Sequence, residues 1–260
     1  MILLGRKYLC ERWDKVNGLR VFSRVSKRAA DAGGIPIVLV HGLGVSSRYM
    51  TPLASEWALC HQVYAPDLPG HGKSQTPHPV LSVRDLAKAL RDWLRVVGIE
   101  RAAFVGNSMG CQILVELADL APECVVAAAF LGPTMDQTVN SRFSHVVGLF
   151  MDQFREPPTL IPLQAFDYLG NGPIRTVVTF LKAVEHDMLG RANRMQAPCL
   201  VLRGEFDEIV SDAWVKAVAA RMPRAQVQTI VDAGHALNYS AAPVIGPMIL
   251  EFWQEWGVNV

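Results

Sequence analysis

Short runs rich in Val, Ile and Leu alternate along the chain with stretches whose apolar positions recur every three or four residues. The runs "IPIVLV" (35–40), "HQVYAP" (61–66), "RAAFVG" (101–106), "CVVAAAFLG" (124–132), "APCLVLRG" (197–204) and "AQVQTIVD" (225–232) have strand length, and each stops at or beside a Gly, Pro, Asp or His. Strands this apolar need cover on both faces, so they are read as central strands of a mostly parallel sheet in an α/β protein. Between them, Val83, Leu86, Ala87, Leu90, Trp93, Leu94 and Val97 line one helical face, starting near Ser82 and stopping at Gly98. Similar patterns predict helices over 109–120, 212–222 and 244–256. The N-terminal "YLCERWDKVNGLRVFSRVS" reads as an antiparallel hairpin turning at Asn17-Gly18.

One stretch breaks the alternation. From Pro133 to Gln196 there is no run with the character of a buried strand, and "SRFSHVVGLFMDQF", "PPTLIPLQAFDYLG" and "GPIRTVVTFLKAVEHDMLG" read as three helices. The pattern predicts a core made of residues 1–132 and 197–260, with 133–196 as a helical insertion lying over the sheet.

Composition narrows the classes. At 260 residues, half of them hydrophobic, the chain has the size of one large domain carrying such an insertion. A net charge of +1 with interspersed signs provides no field to gather nucleic acid or an anionic membrane. The apolar start "ILL" is too short for a signal-peptide core, and no run reaches the roughly 18 apolar residues of a membrane span. A soluble, cytoplasmic protein acting on a small molecule is expected. Cys10, Cys60, Cys111, Cys124 and Cys199 are odd in number and widely spaced, which suggests free thiols and neither a disulfide framework nor a zinc site. Cys111 is read as a small buried apolar residue. No ligand cluster or phosphate-binding glycine pattern implies a metal or cofactor.

The chemistry centres on "AAFVGNSMGCQILVEL" (102–117), where a strand, a tight turn and a helix surround Gly106-Asn107-Ser108-Met109-Gly110. In that context G-x-S-x-G means a nucleophile elbow, with the glycines admitting a strained serine between strand and helix. Ser108 needs a base and the base an orienting carboxylate. His235 follows the last predicted strand and Asp207 the one before it, giving the chain order Ser108, Asp207, His235 expected of an elbow hydrolase. The backbone N–H of Met109 and, from "HGLG" (41–44), that of Leu43 are the candidate oxyanion donors. Asp67 is read as structural, fixing the turn after its strand.

"HGLG" (41–44), "APDLPGHGKS" (65–74), "GNSMG" (106–110), "GEFDEIV" (204–210) and "AGH" (233–235) together resemble the α/β-hydrolase fold family across nearly the whole chain. The resemblance implies an eight-stranded, mostly parallel sheet with a helical cap inserted after the sixth strand, and a supporting role for His41 at the oxyanion turn. It also offers Asp136 as an alternative carboxylate. It further implies a carboxylesterase-like enzyme working through an acyl-enzyme, and the apolar composition of the insertion points to a modest hydrophobic or aromatic ester, or a related acyl compound, as substrate. "GNSMG" is similar to the elbow of hydrolases that cleave C–C bonds of ring-fission products, although Ala236 and Leu43 depart from their pattern. A cofactor-free perhydrolase and a non-catalytic binding protein share the scaffold, whereas Ser108 argues against the aspartate-nucleophile dehalogenases and epoxide hydrolases. Phe143, Val147, Leu149, Phe150, Leu160, Ile161, Phe166, Phe180 and Leu181 are expected mostly to pack on the body, a few lining the pocket. Arg142, Arg155, Arg175, Arg191 and Arg194 are candidates for a substrate carboxylate, read mainly as solvated surface.

Overall fold

The computed structural model describes residues 7–27, 33–136 and 156–260. Among these, eight strands form one sheet: β1 (Leu9–Val16), β2 (Leu19–Ser26), β3 (Ile37–Val40), β4 (Val63–Pro66), β5 (Ala102–Asn107), β6 (Val125–Leu131), β7 (Cys199–Gly204) and β8 (Ala225–Ile230). Their order is β1-β2-β4-β3-β5-β6-β7-β8. The first two pairings, β1 with β2 and β2 with β4, are antiparallel, and the rest are parallel. At the hairpin tip Asn17 (φ 49°) and Gly18 (φ 84°) both take positive φ, the twist-matched two-residue turn anticipated from Asn-Gly.

Helices on the two faces explain the apolar strands. In chain order they are α1 (Thr51–Trp57), α2 (Val83–Val97), α3 (Met109–Leu120), α4 (Leu160–Asn171), α5 (Pro173–Val184), α6 (Met188–Arg191), α7 (Asp212–Ala219), α8 (Leu237–Ser240) and α9 (Ala242–Glu255). Alternate residues of each central strand enter opposite cores. Val38, Phe104, Phe130 and Val201 pack with Leu90 and Trp93 of α2, Leu114 of α3 and Trp214 of α7. Ile37, Val105, Ala129 and Leu202 pack with Leu53 and Trp57 of α1 and with Ile249 and Trp253 of α9. In α2, Ser82 accepts from the Asp85 N–H and Gly98 takes the left-handed conformation that ends the helix.

Several expectations need correction. β8 is an edge strand with alternating exposure, not a central one, which fits its interleaved Gln and Thr. The predicted 212–222 helix stops at Ala219, and the predicted 244–256 helix begins at Ala242. The third helix read in the 133–196 stretch breaks after Val184, where Asp187 accepts from the Gly190 N–H and starts α6. The helix read over 141–154 lies outside the described residues. No strand occurs among the described residues between β6 and β7. No described helix is long and apolar enough to cross a membrane.

Candidate active site

All parallel strands direct their carboxyl ends to the same side of the sheet, where ligands bind in open α/β folds. The predicted residues stand there, after β3, β5, β7 and β8.

Ser108 joins β5 to α3 with φ 57° and ψ −122°, a strained conformation for a residue with a side chain. Neighbouring glycines make it possible: a Cβ on Gly110 would overlap the Val40 carbonyl, and one on Gly106 would lie 2.8 Å from the Gly110 carbonyl carbon. Ser108 N donates to Leu131 O at 2.9 Å, setting the turn against the end of β6. The serine is half-buried and therefore reachable. Its Oγ lies 3.4 Å from Thr134 Oγ1, a partner that no sequence pattern flags.

His235 and Asp207 are both buried. His235 Nδ1 and Asp207 Oδ2 are 2.8 Å apart. The other oxygen of Asp207 accepts from Ile209 N and Val210 N, each at 2.9 Å, which leaves the carboxylate little freedom to rotate. The neighbouring Glu205 and Glu208 are exposed. The rival Asp136 accepts instead from Ser211, at 2.5 Å from its hydroxyl and 3.2 Å from its N–H. Gly132 closes the gap to the elbow: a Cβ there would stand 2.7 Å from the His235 ring and 3.1 Å from Asp207 Oδ2. Asn107 holds the two loops together, donating to Leu131 O at 3.3 Å and to His235 O at 3.4 Å. Its amide is thus engaged with the framework.

Glu156 was not singled out from sequence. Its buried Oε1 accepts from the Ala236 N–H at 2.6 Å, beside His235. Burial pushes its carboxyl above the ordinary range.

The turn after β3 approaches from the other side. A Cβ on Gly42 would lie 3.0 Å from Ser108 Cβ, so the turn packs directly on the elbow. Burial drops the His41 pKa to about 4, leaving the ring neutral at pH 7. Its Nδ1–H donates to Gly42 O at 2.8 Å, while Nε2 accepts from Leu68 N at 3.0 Å. Gly42 O and Leu43 N–H belong to one peptide plane, so holding the carbonyl aims the N–H the opposite way. Met109 N–H is in the first turn of α3, where amides have no intrahelical partner. Asp67 accepts from Ser47 N at 2.7 Å and Lys73 N at 2.8 Å, the turn-fixing role read from sequence.

Of the candidate cations, Arg175 donates to Pro77 O at 2.8 Å, Arg191 pairs with Glu116 at 3.1 Å and Arg194 with Asp119 at 3.4 Å. They are committed within the chain, while Arg142 and Arg155 lie outside the described residues. The expected packing of apolar side chains also needs revision. Leu160 is buried and Phe180 partly so, but Ile161, Phe166 and Leu181 are exposed. Phe143, Val147, Leu149 and Phe150 lie outside the described residues. No group of three His, Cys, Asp or Glu side chains among the described residues is placed to hold a metal. Burial raises the Cys111 thiol well above its ordinary value, in keeping with an inert packed cysteine.

Strand order, elbow and surrounding loops define an α/β-hydrolase architecture. A family model described as the alpha/beta hydrolase family matches residues 37–246, and the chain belongs to that family. A poly(3-hydroxyalkanoate) depolymerase of Ectopseudomonas oleovorans is 25% identical over 240 residues, covering 85% of this chain and 84% of that protein. An uncharacterised protein of Mycobacterium tuberculosis is 36% identical over 110 residues, 42% of this chain and 31% of that protein. The chain thus matches about a third of that relative's length. A thermophilic esterase from Thermogutta terrifontis shares the fold, with TM-score 0.80 and 20% identity over 95% of this chain and 98% of that one.

Proposed function

We propose that the chain is a serine hydrolase of a small hydrophobic ester or related acyl compound. The observation that carries this reading is the positive-φ Ser108 at the elbow, on the same side of the sheet as a buried His235 whose Nδ1 lies 2.8 Å from Asp207. His235 takes the Ser108 proton as the hydroxyl oxygen attacks the carbonyl carbon, and the Leu43 and Met109 amides stabilise the oxyanion. The protonated His235 then gives its proton to the leaving alcohol as the ester C–O bond breaks. Water attacks the acyl-enzyme with His235 again as base, and Ser108 is released with the acid. Asp207 holds the ring in the tautomer with Nδ1 protonated, so that Nε2 is the nitrogen that takes the Ser108 proton. The described helices α4 and α5 belong, in this reading, to a cap over 133–196 that bounds the substrate. The depolymerase and esterase among the similar proteins support ester chemistry.

A panel of p-nitrophenyl esters of increasing acyl length tests the proposal. Short and medium esters should be hydrolysed, and Ser108→Ala should lower kcat by about 10⁴-fold or more. Activity that survives Ser108→Ala would refute the mechanism. Labelling of Ser108 by a fluorophosphonate with no turnover of any ester would favour a binding protein.

A further inference from the structure

We propose that Asn171, together with Asp167 one helical turn before it, is a positioning residue of the oxyanion turn. The helix above the site then controls turnover itself as well as bounding the substrate. This inference rests on the hydrolase reading above.

The turn from His41 to Gly44 is held at two peptide planes. His41 holds the Gly42 carbonyl from within the core, at 2.8 Å. Asn171 holds the next-but-one peptide from α4, its Nδ2 donating to Gly44 O at 2.7 Å. The same carboxamide accepts from Gly72 N at 2.9 Å. One amide therefore links the loop after β3 to the loop after β4, and its orientation is dictated because only NH₂ can face a carbonyl and only oxygen can face an N–H. Asp167 lies on the same face of α4. It accepts from Ser46 Oγ at 2.7 Å and pairs with Arg48 at 3.9 Å. The Tyr168 ring fills the space that a side chain on Gly44 would need, and Gly44 itself has φ 71°.

The burial pattern of α4 supports a built contact. Asp167 is 2% exposed, whereas Phe166 and Leu169 on the opposite side are 62% and 77% exposed. Here the inward stripe runs from the apolar Leu160 and Leu163 to Asp167 and Asn171, the last two bonded to the loops after β3 and β4.

Oxyanion donors act through fixed geometry, and sub-ångström displacement is enough to weaken them in the transition state more than in the ground state. Asn171→Asp is nearly isosteric but sets a carboxylate oxygen against the Gly44 carbonyl. We expect kcat on p-nitrophenyl butyrate to fall about 10- to 100-fold, with KM changing less than about 3-fold. Affinity for a trifluoromethyl ketone, which forms the oxyanion on Ser108, should fall by the same factor as kcat. The acid limb of the pH profile should not move. Asn171→Ala, which lacks the repulsion, should show a smaller loss in the same direction. Leu163→Ala, which loosens the same helix without touching the turn, should lower the melting temperature and spare kcat at 15 °C.

Amide hydrogen exchange of residues 42–46 adds a readout independent of activity, with faster exchange expected in both Asn171 variants. Unchanged exchange there overturns the inference whatever the wild type hydrolyses, as does a kcat within 2-fold of wild type or an equal loss in Leu163→Ala. A wild-type chain that hydrolyses no ester overturns the proposed function, and faster exchange in the variants would still support the grip on the turn.

Discussion

Asp207 and Asp136 are both buried carboxylates that follow strands of the sheet, and their hydrogen bonds distinguish them. Asp207 meets His235, whereas Asp136 accepts from the Ser211 hydroxyl and N–H at the start of α7. Asp207→Asn should lower kcat by about 10⁴-fold, since the amide favours the wrong imidazole tautomer. Asp136→Asn should retain most activity and cost stability through the weakened Ser211 contact. Steady-state kinetics on the two variants checks this, and the reverse ranking would assign the role to Asp136. Both aspartates were visible in the sequence as candidates, because a residue just beyond a strand can be recognised without knowing the sheet. Choosing between them needed the β6–β7 pairing and the fold of the 207–211 loop, which no local pattern encodes. Thr134, Glu156 and Asn171 were missed for the same reason: their partners are 26, 80 and 127 residues away.

The elbow helix α3 is anchored by charge as well as by packing. Glu116, almost fully buried, pairs with Arg84 of α2, with His186 at 2.9 Å and with Arg191 of α6 at 3.1 Å. Burial opposes ionisation of Glu116, yet His186 and Arg191 hold its carboxyl below the usual range. On the same helix, Gln112 Nε2 donates to Ala183 O at 2.9 Å. These bonds tie α2 and the chain around α5 and α6 to the helix that follows Ser108. Glu116→Ala should destabilise the fold by about 1–3 kcal/mol, chiefly because the largely buried His186 ring loses its partner, while Arg84 and Arg191 are partly exposed and keep Asp119. Urea unfolding measures the loss, and a change under about 1 kcal/mol would show the cluster to be incidental. The long periodic elements were legible at this scale: α2, α3 and the central strands lie where apolar spacing puts them. The short α1, seven residues long, was not, since so short a helix carries too little periodicity.

Across the molecule, burial sets the response to acid. The rings of His41, in the turn after β3, and His71, in the loop after β4, lie 5.1 Å apart, centroid to centroid. Burial lowers His41 to about 4, and burial together with the nearby His41 lowers His71 to about 3. In the unfolded chain each binds a proton near pH 6.5. Below that value the unfolded state holds more protons, so their contribution to stability falls as pH drops from about 6.5 towards 4. By pH 5 each histidine costs about 2 kcal/mol. The buried carboxyls of Glu156 and Asp167, raised by burial, act in the opposite sense and offset part of this loss. His71→Gln should therefore narrow the gap between melting temperatures at pH 7 and pH 5. Equal gaps in variant and wild type would contradict this account.

The sequence by itself determined the layered α/β class, the hairpin, the main strands and helices, and the positions of Ser108, Asp207, His235, Leu43 and Met109. These depend on periodicity, turn chemistry and strand-end placement, all of which are local. Only the tertiary structure decided that β8 lies at an edge, that Asp207 faces His235 while Asp136 faces Ser211, and that Arg175, Arg191 and Arg194 are bonded within the chain. It also decided that α4 turns Asp167 and Asn171, not Phe166 and Leu169, towards the loop after β3. The physical reason is that a buried polar side chain must find a partner, and that partner is set by which distant segments the fold brings together.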